Sequence, residues 1–82
     1  MPDPGSLTPR QRQVLALAAN GNTNAQIGRL LGLSRPTIDR HLACAYRTLG
    51  AVDRAQAVAI ALVVGELGAH HICIPWQQRE AA

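Results

Sequence analysis

The stretch Gly32-Leu33-Ser34-Arg35-Pro36 restricts the fold more than any other part of the chain. Glycine commonly follows a helix end, because it takes the left-handed conformation without a Cβ clash. Serine caps helix starts, and proline is tolerated in a helix only in the first turn, where no intrahelical N–H is lost. One helix must therefore stop, and another start, within three or four residues. The helix before this turn is short, about two turns from a cap at Asn24 to the stop at Gly32. The helix after it is longer, running over residues 34–49 to a stop at Gly50. A short helix, a glycine turn and a longer helix make the helix-turn-helix plan, whose second helix can enter a DNA major groove.

The same punctuation frames the rest of the chain. Thr8, Pro9 and Gln11 form a capping-box start, with Leu7 placed as a staple and Gly21 as the stop. Val14, Leu17 and Ala18 share one side of this first helix, with Leu15 at its margin and Arg12 pointing away. In the second helix Ile27, Leu30 and Leu31 form the stripe to be buried. Gly28 inside it costs about 1 kcal/mol relative to alanine, which suits a position closely approached by another helix. In the third, Ile38, Leu42, Ala45 and Leu49 make one apolar seam. Asp53 and Gln56 start a fourth helix that runs to about Gly68. It is apolar nearly all round, so it needs two burial surfaces: its own core and a second chain. The fold class is all-α, a four-helix domain over residues 7–68 between a flexible N-terminus, 1–6, and a C-terminal tail, 69–82.

Composition narrows the function classes. The chain has 82 residues, 48% of them hydrophobic and 16% charged, which fits one small folded domain rather than a disordered tail. Its net charge is +3, carried by arginine alone, and is compatible with a nucleic-acid partner without requiring one. Two cysteines and no signal peptide indicate a reduced, cytosolic compartment, and the apolar run from Ala55 to Val64 is too short to span a membrane. No nucleophile–base pair or carboxylate dyad appears, so no enzyme and no cofactor are expected. His70, His71 and Cys73 lack a second ligand pair at zinc spacing, so no metal is expected either. Ile72, Ile74 and Trp76 are expected to fold back on the domain or cover a partner. Cys44 is expected to be inert.

The residues themselves carry a resemblance. Leu7, Thr8, Arg10, Val14 and Leu15, then Gly21, Thr23, Asn24, Ile27 and Leu31, fall at the spacing of a known pattern. Ser34, Thr37, His41, Leu49, Gly50, Arg54, Ala57 and Val58 continue it. From Leu7 to about Leu67 the chain resembles the DNA-binding domain of LuxR/FixJ/GerE-type bacterial transcription regulators. That resemblance implies binding of double-stranded DNA by a homodimer joined through the fourth helix. By position, Thr37 and His41 would bond phosphates, while Asp39, Arg40 and Ala43 would face base edges. The departures from the family pattern are Gln11 for an acid, Gly28 for Ala, Ile38 for Val, Thr48 for Lys and Asp39 at a position where Lys is frequent.

Physical reasoning sorts the same residues. The forked guanidinium of Arg40 suits guanine O6 and N7, and Asp39 can accept from cytosine N4 but repels phosphate. Arg47, two turns on, suits a phosphate. Ser34 and Thr37 lie at the positive end of the helix, where phosphate is also favoured. Arg35 either meets a phosphate or pairs with Asp39 four residues on. Arg10, Arg12 and Arg29 are expected to be solvated. Ala55, Val58, Ala59, Leu62 and Val63 form the candidate dimer face. An alternative function is a protein-interaction module of the same fold, binding RNA polymerase or another regulator. Met1 favours a stand-alone regulator over a domain excised from a longer one.

Overall fold

The computed structural model describes residues 6–78, so residues 1–5 and 79–82 of the two expected termini lie outside the described part. Every regular element among the described residues is helical: α1 Pro9–Ala19, α2 Asn24–Leu31, α3 Arg35–Leu49, α4 Arg54–Val64, a 3-10 turn Ala69–His71 and the single turn α5 Pro75–Gln78.

The starts follow from local chemistry. Thr8 Oγ1 accepts the Gln11 N–H at 3.1 Å, and Gln11 Oε1 accepts the Thr8 N–H at 3.1 Å, closing the expected box. The cap of α2 is Thr23 rather than Asn24. Its hydroxyl accepts the Gln26 N–H at 3.1 Å while Gln26 Oε1 accepts the Thr23 N–H at 2.7 Å. Asn24, released from capping, is the first helical residue. Asp53 caps α4 through the Gln56 N–H at 2.8 Å, but Gln56 Oε1 accepts from Val52 rather than from Asp53. Asp53 and Gln56 therefore start the helix without a reciprocal capping box.

Gly32 ends α2 with φ +70° and Gly65 ends α4 with φ +83°, three residues before the Gly68 expected from the sequence. The left-handed turn at Gly65 brings the chain back, so that Leu67 donates to Ala61 O at 3.0 Å and buries its side chain to 1% exposure. The close approach at Gly28 comes from the turn, not from another helix. An added Cβ would lie 2.6 Å from Leu33 O, while the Leu33 N–H donates to Gly28 O at 2.9 Å.

Helix α3 packs against all three other long helices. The core is Leu7, Val14, Leu15, Ala18, Ile27, Ile38, Leu42, Ala45, Ala57, Ala61 and Leu67. Leu15 is fully buried rather than marginal and Leu17 only half-buried, because α1 is held between α3 and α4 and its buried arc turns towards Leu15. Leu30 is 62% exposed, contrary to its place in the expected stripe, and Leu49 is half-buried. Eight residues give α2 room for one contact line, and Ile27 with Gly28 fills it.

Two polar links tie the ends of the chain to this core. Arg12 is not simply solvated: its Nη2 meets Glu66 Oε2 at 2.6 Å, across from α1 to the segment after α4. Asn20, just past α1, donates to His71 O at 2.9 Å and accepts from the Cys73 N–H at 2.7 Å, pinning the tail. Ile72 and Ile74 are half-buried beside it, whereas Trp76 remains 66% exposed and does not fold back.

The hydrogen bond from Arg12 holds the Glu66 carboxyl below its usual value of 4.5, aided by the Leu7 N–H and Ser6 and opposed by burial. A depressed carboxylate contributes stability above its unfolded value and loses it as pH falls through the folded one. Melting temperature is therefore expected to fall below pH 4.5. Glu66→Gln should have a lower melting temperature at neutral pH and a shallower acid decline, as thermal melts across that range would read.

Candidate nucleic-acid interface

Anchoring comes first. Ile38, Leu42 and Ala45 are 0–2% exposed and fix the inner face of α3. With that face committed, 100° steps bring Arg40, Ala43 and Arg47 outward, and all three are exposed. Ser34, Arg35, Pro36 and Asp39 are exposed at the leading end, with Thr37 and His41 half-buried at the flank. The expected site residues of α3 thus lie on one contiguous outward strip.

Electrostatically, the strip has Arg35, Arg40 and Arg47 against one acid, Asp39. Its leading end is the positive end of the helix dipole, which favours an anion, although Pro36 carries no N–H and that of Thr37 is taken by the cap. Ser34 Oγ accepts the Thr37 N–H at 3.3 Å and lies 2.9 Å from the Thr37 hydroxyl, so both side chains are ordered as the cap. Arg47 Nη2 is 3.2 Å from Cys44 Sγ, a weak contact that leaves its other donors available.

The possible Arg35–Asp39 pair is not made. Asp39 Oδ1 instead accepts from Asn24 Nδ2 at 2.6 Å, and Asn24 Oδ1 accepts from Arg54 Nη2. The other arm of Arg54 donates to Asn22 O at 2.6 Å. Sequence reasoning gave neither Asn24 nor Arg54 a role at this surface. The available signal was that both belong to the recurring pattern, and that Thr23 with Gln26 already accounts for the cap.

On α4, Ala57 and Ala61 face the core. Ala55, Ala59, Leu62 and Val63 are exposed, with Val63 at 85%, and Val52 and Val64 are exposed as well. Val58, placed by sequence on the dimer face, is half-buried and packs partly against the core. Alanines thus face the core, while an apolar face of α4 is left exposed.

A cavity of about 850 Å³ is an open groove between α1, α2 and His71 of the 3-10 turn, and its lining holds no carboxylate, hydroxyl or thiol and no α3 residue. Among the described residues no group of three His, Cys, Asp or Glu could hold a metal ion, and no helix is long and apolar enough to cross a membrane.

Comparison with known proteins gives the same picture. Residues 5–61 match the family of bacterial regulatory proteins, luxR family. The transcriptional activator protein BjaR1 of Bradyrhizobium diazoefficiens is 46% identical over 56 residues, 68% of this chain and 23% of that protein. The probable transcriptional regulatory protein SgaR of Hyphomicrobium methylovorum is 51% identical over 55 residues, 67% of this chain and 26% of that protein. The chain thus spans about a quarter of the length of these relatives. The solved transcription factor GerE superposes with a TM-score of 0.71 at 31% identity, covering 76% of this chain and 92% of that one. A Vibrio cholerae VqmA dimer, described as a LuxR-type receptor, also gives 0.71, at 28% identity, over 83% of this chain and 29% of that one. These are transcription regulators, not enzymes, and on this evidence the chain belongs to the LuxR family of regulatory proteins, as a helix-turn-helix DNA-binding domain.

Proposed function

We propose that the chain binds specific double-stranded DNA sequences as a homodimer, with α3 in the major groove and α4 against its partner's α4. The observation that carries this reading is the outward strip of α3, exposed and arginine-bearing while its opposite face is locked in the core. Arg40, Asp39 and Ala43 read base edges, and Ser34, Arg35, Thr37, His41 and Arg47 meet the backbone. Ala55, Ala59, Leu62 and Val63 form the dimer contact, with Val58 at its margin. Such a protein acts in the cytoplasm, where its DNA is.

Selection of randomised duplexes by the purified protein at near-physiological salt tests the reading. A two-fold symmetric motif is expected, with half-sites one helical turn apart or a multiple of it. Arg40→Ala should relax preference at one position per half-site by about 1–3 kcal/mol. Arg47→Gln should instead weaken all sequences alike. It should flatten the dependence of log K on log salt by about 1.8, for two phosphate contacts per dimer at about 0.9 each. Equal ranking of sequences by the wild type and Arg40→Ala would remove Arg40 from the reading.

A second reading, a module that docks on RNA polymerase or another regulator, has the exposed Trp76 in its favour. A flat salt dependence with no enriched motif would favour it.

A further inference from the structure

Asp39 is the single acid on an outward face otherwise charged by arginines, and the groups that hold it sit on two other helices. Asn24, the first residue of α2, donates from Nδ2 to Asp39 Oδ1 at 2.6 Å. Its own Oδ1 accepts from Arg54, the first residue of α4. A carboxylate only accepts and a guanidinium only donates, so the amide has one admissible orientation: flipped, it would oppose oxygen to oxygen and N–H to N–H. Arg54 is braced in turn by donating to Asn22 O at 2.6 Å, and both Asn24 and Arg54 are half-buried. The series runs from the start of α4, through the start of α2, to the second turn of α3.

What such a series does follows from the chemistry of its end group. A free aspartate beside DNA is repelled by phosphate and averages over rotamers, which weakens its discrimination between bases. Here Asn24 engages Oδ1 and fixes the side chain, leaving Oδ2 as the oxygen to present. The Arg54 charge behind the amide offsets part of the carboxylate's repulsion of phosphate.

We infer that Asn24 and Arg54 are positioning residues that hold Asp39 as a base-reading acceptor, selecting an exocyclic amino group, cytosine N4 above all, at one position in each half-site. The inference rests on the DNA-reading function proposed above and names a specificity element within it. Neither positioning residue needs to touch DNA.

Asn24→Asp isolates the step. It is isosteric and keeps an acceptor for Arg54, but it loses the donor and sets a like charge against Asp39. Duplex selections with the full chain would compare wild type, Asp39→Ala, Asn24→Asp and Asn24→Ala, each checked for a folded melting transition; Asn24→Ala serves if Asn24→Asp does not fold. The wild type is expected to prefer cytosine at one position, and each variant to lose about tenfold of that preference at the same position. The Arg40 position should keep its preference, and Asn24→Ala combined with Asp39→Ala should be no worse there than Asp39→Ala alone. Without DNA, the Asn24 Nδ2 protons should exchange slowly in the wild type and lose that protection in Asp39→Ala. If the wild type enriches a motif but the Asn24 variants weaken every sequence alike, the role is structural and the inference is overturned. A wild type that enriches no motif overturns the DNA reading, and the inference with it.

Discussion

Replacing Ile38 by alanine is expected to destabilise the domain by about 2–5 kcal/mol, the range for truncating a buried isoleucine. A folded domain of this size holds only about 0.05–0.15 kcal/mol per residue, so the loss runs from about a sixth of the total to all of it. Ile38 is 0% exposed on a helix that packs against all three other long helices, which leaves the cavity no easy way to collapse. Alanine's better helix propensity returns only a few tenths of a kcal/mol. Melting should fall by about 8–40 °C, at about 4–8 °C per kcal/mol, and DNA binding should go with it. Ile38→Val, which restores the residue usual in the family, should cost only about 0.5–1.5 kcal/mol. Arg40→Ala, two residues away on the exposed face, should leave melting within about 0.5 kcal/mol of wild type. Urea or thermal denaturation of the three variants checks the series. A melting loss in Arg40→Ala as large as that in Ile38→Ala would mean that the two faces of α3 are wrongly assigned.

That assignment was legible from the sequence because it depends on local signals. Thr8, Ser34 and Asp53 act as caps, and Gly32 and Gly50 as stops, through bonds and dihedral preferences within a few residues of themselves. Where two residues compete for one role, a local signal divides. Thr23 and Asn24 can both cap, and Gln26, three residues after Thr23, decides between them. Gly65 and Gly68 can both end α4, and burial of Leu67 decides in favour of the first. Periodicity gives the apolar side of a helix but not the directions from which its neighbours come, so Leu15 and Leu30 exchanged their expected environments. The polar ties were out of reach for the same reason. Asn24 to Asp39, Arg54 to Asn24 and Arg12 to Glu66 join residues 15, 30 and 54 positions apart. Only the packed helices bring them together. The surface of α3 was thus readable as a list of residues, whereas what orders that list was not.

Val63→Glu is expected to have the largest effect on function with the least on fold. Val63 is 85% exposed in the single chain, so glutamate there buries no charge and should change monomer stability by no more than about 0.5 kcal/mol. In a dimer built on α4 the same residue would face its own copy or a neighbouring valine, placing two carboxylates in an apolar contact made of Ala55, Ala59 and Leu62. Burying unpaired like charges costs several kcal/mol, enough to dissociate a small interface. Joining two half-site binders raises affinity for a double site by about 10² to 10⁴-fold, and that factor is what the variant should lose. Binding to a single half-site should be unchanged, since α3 is untouched. Sedimentation of both proteins, with titrations against one and two half-sites, separates the cases. Loss of the double-site advantage with a shift from dimer to monomer supports the α4 interface. A variant that remains a dimer moves the interface to another surface, and equal losses on both DNAs would mean that α4 holds α3 in place rather than joining two chains.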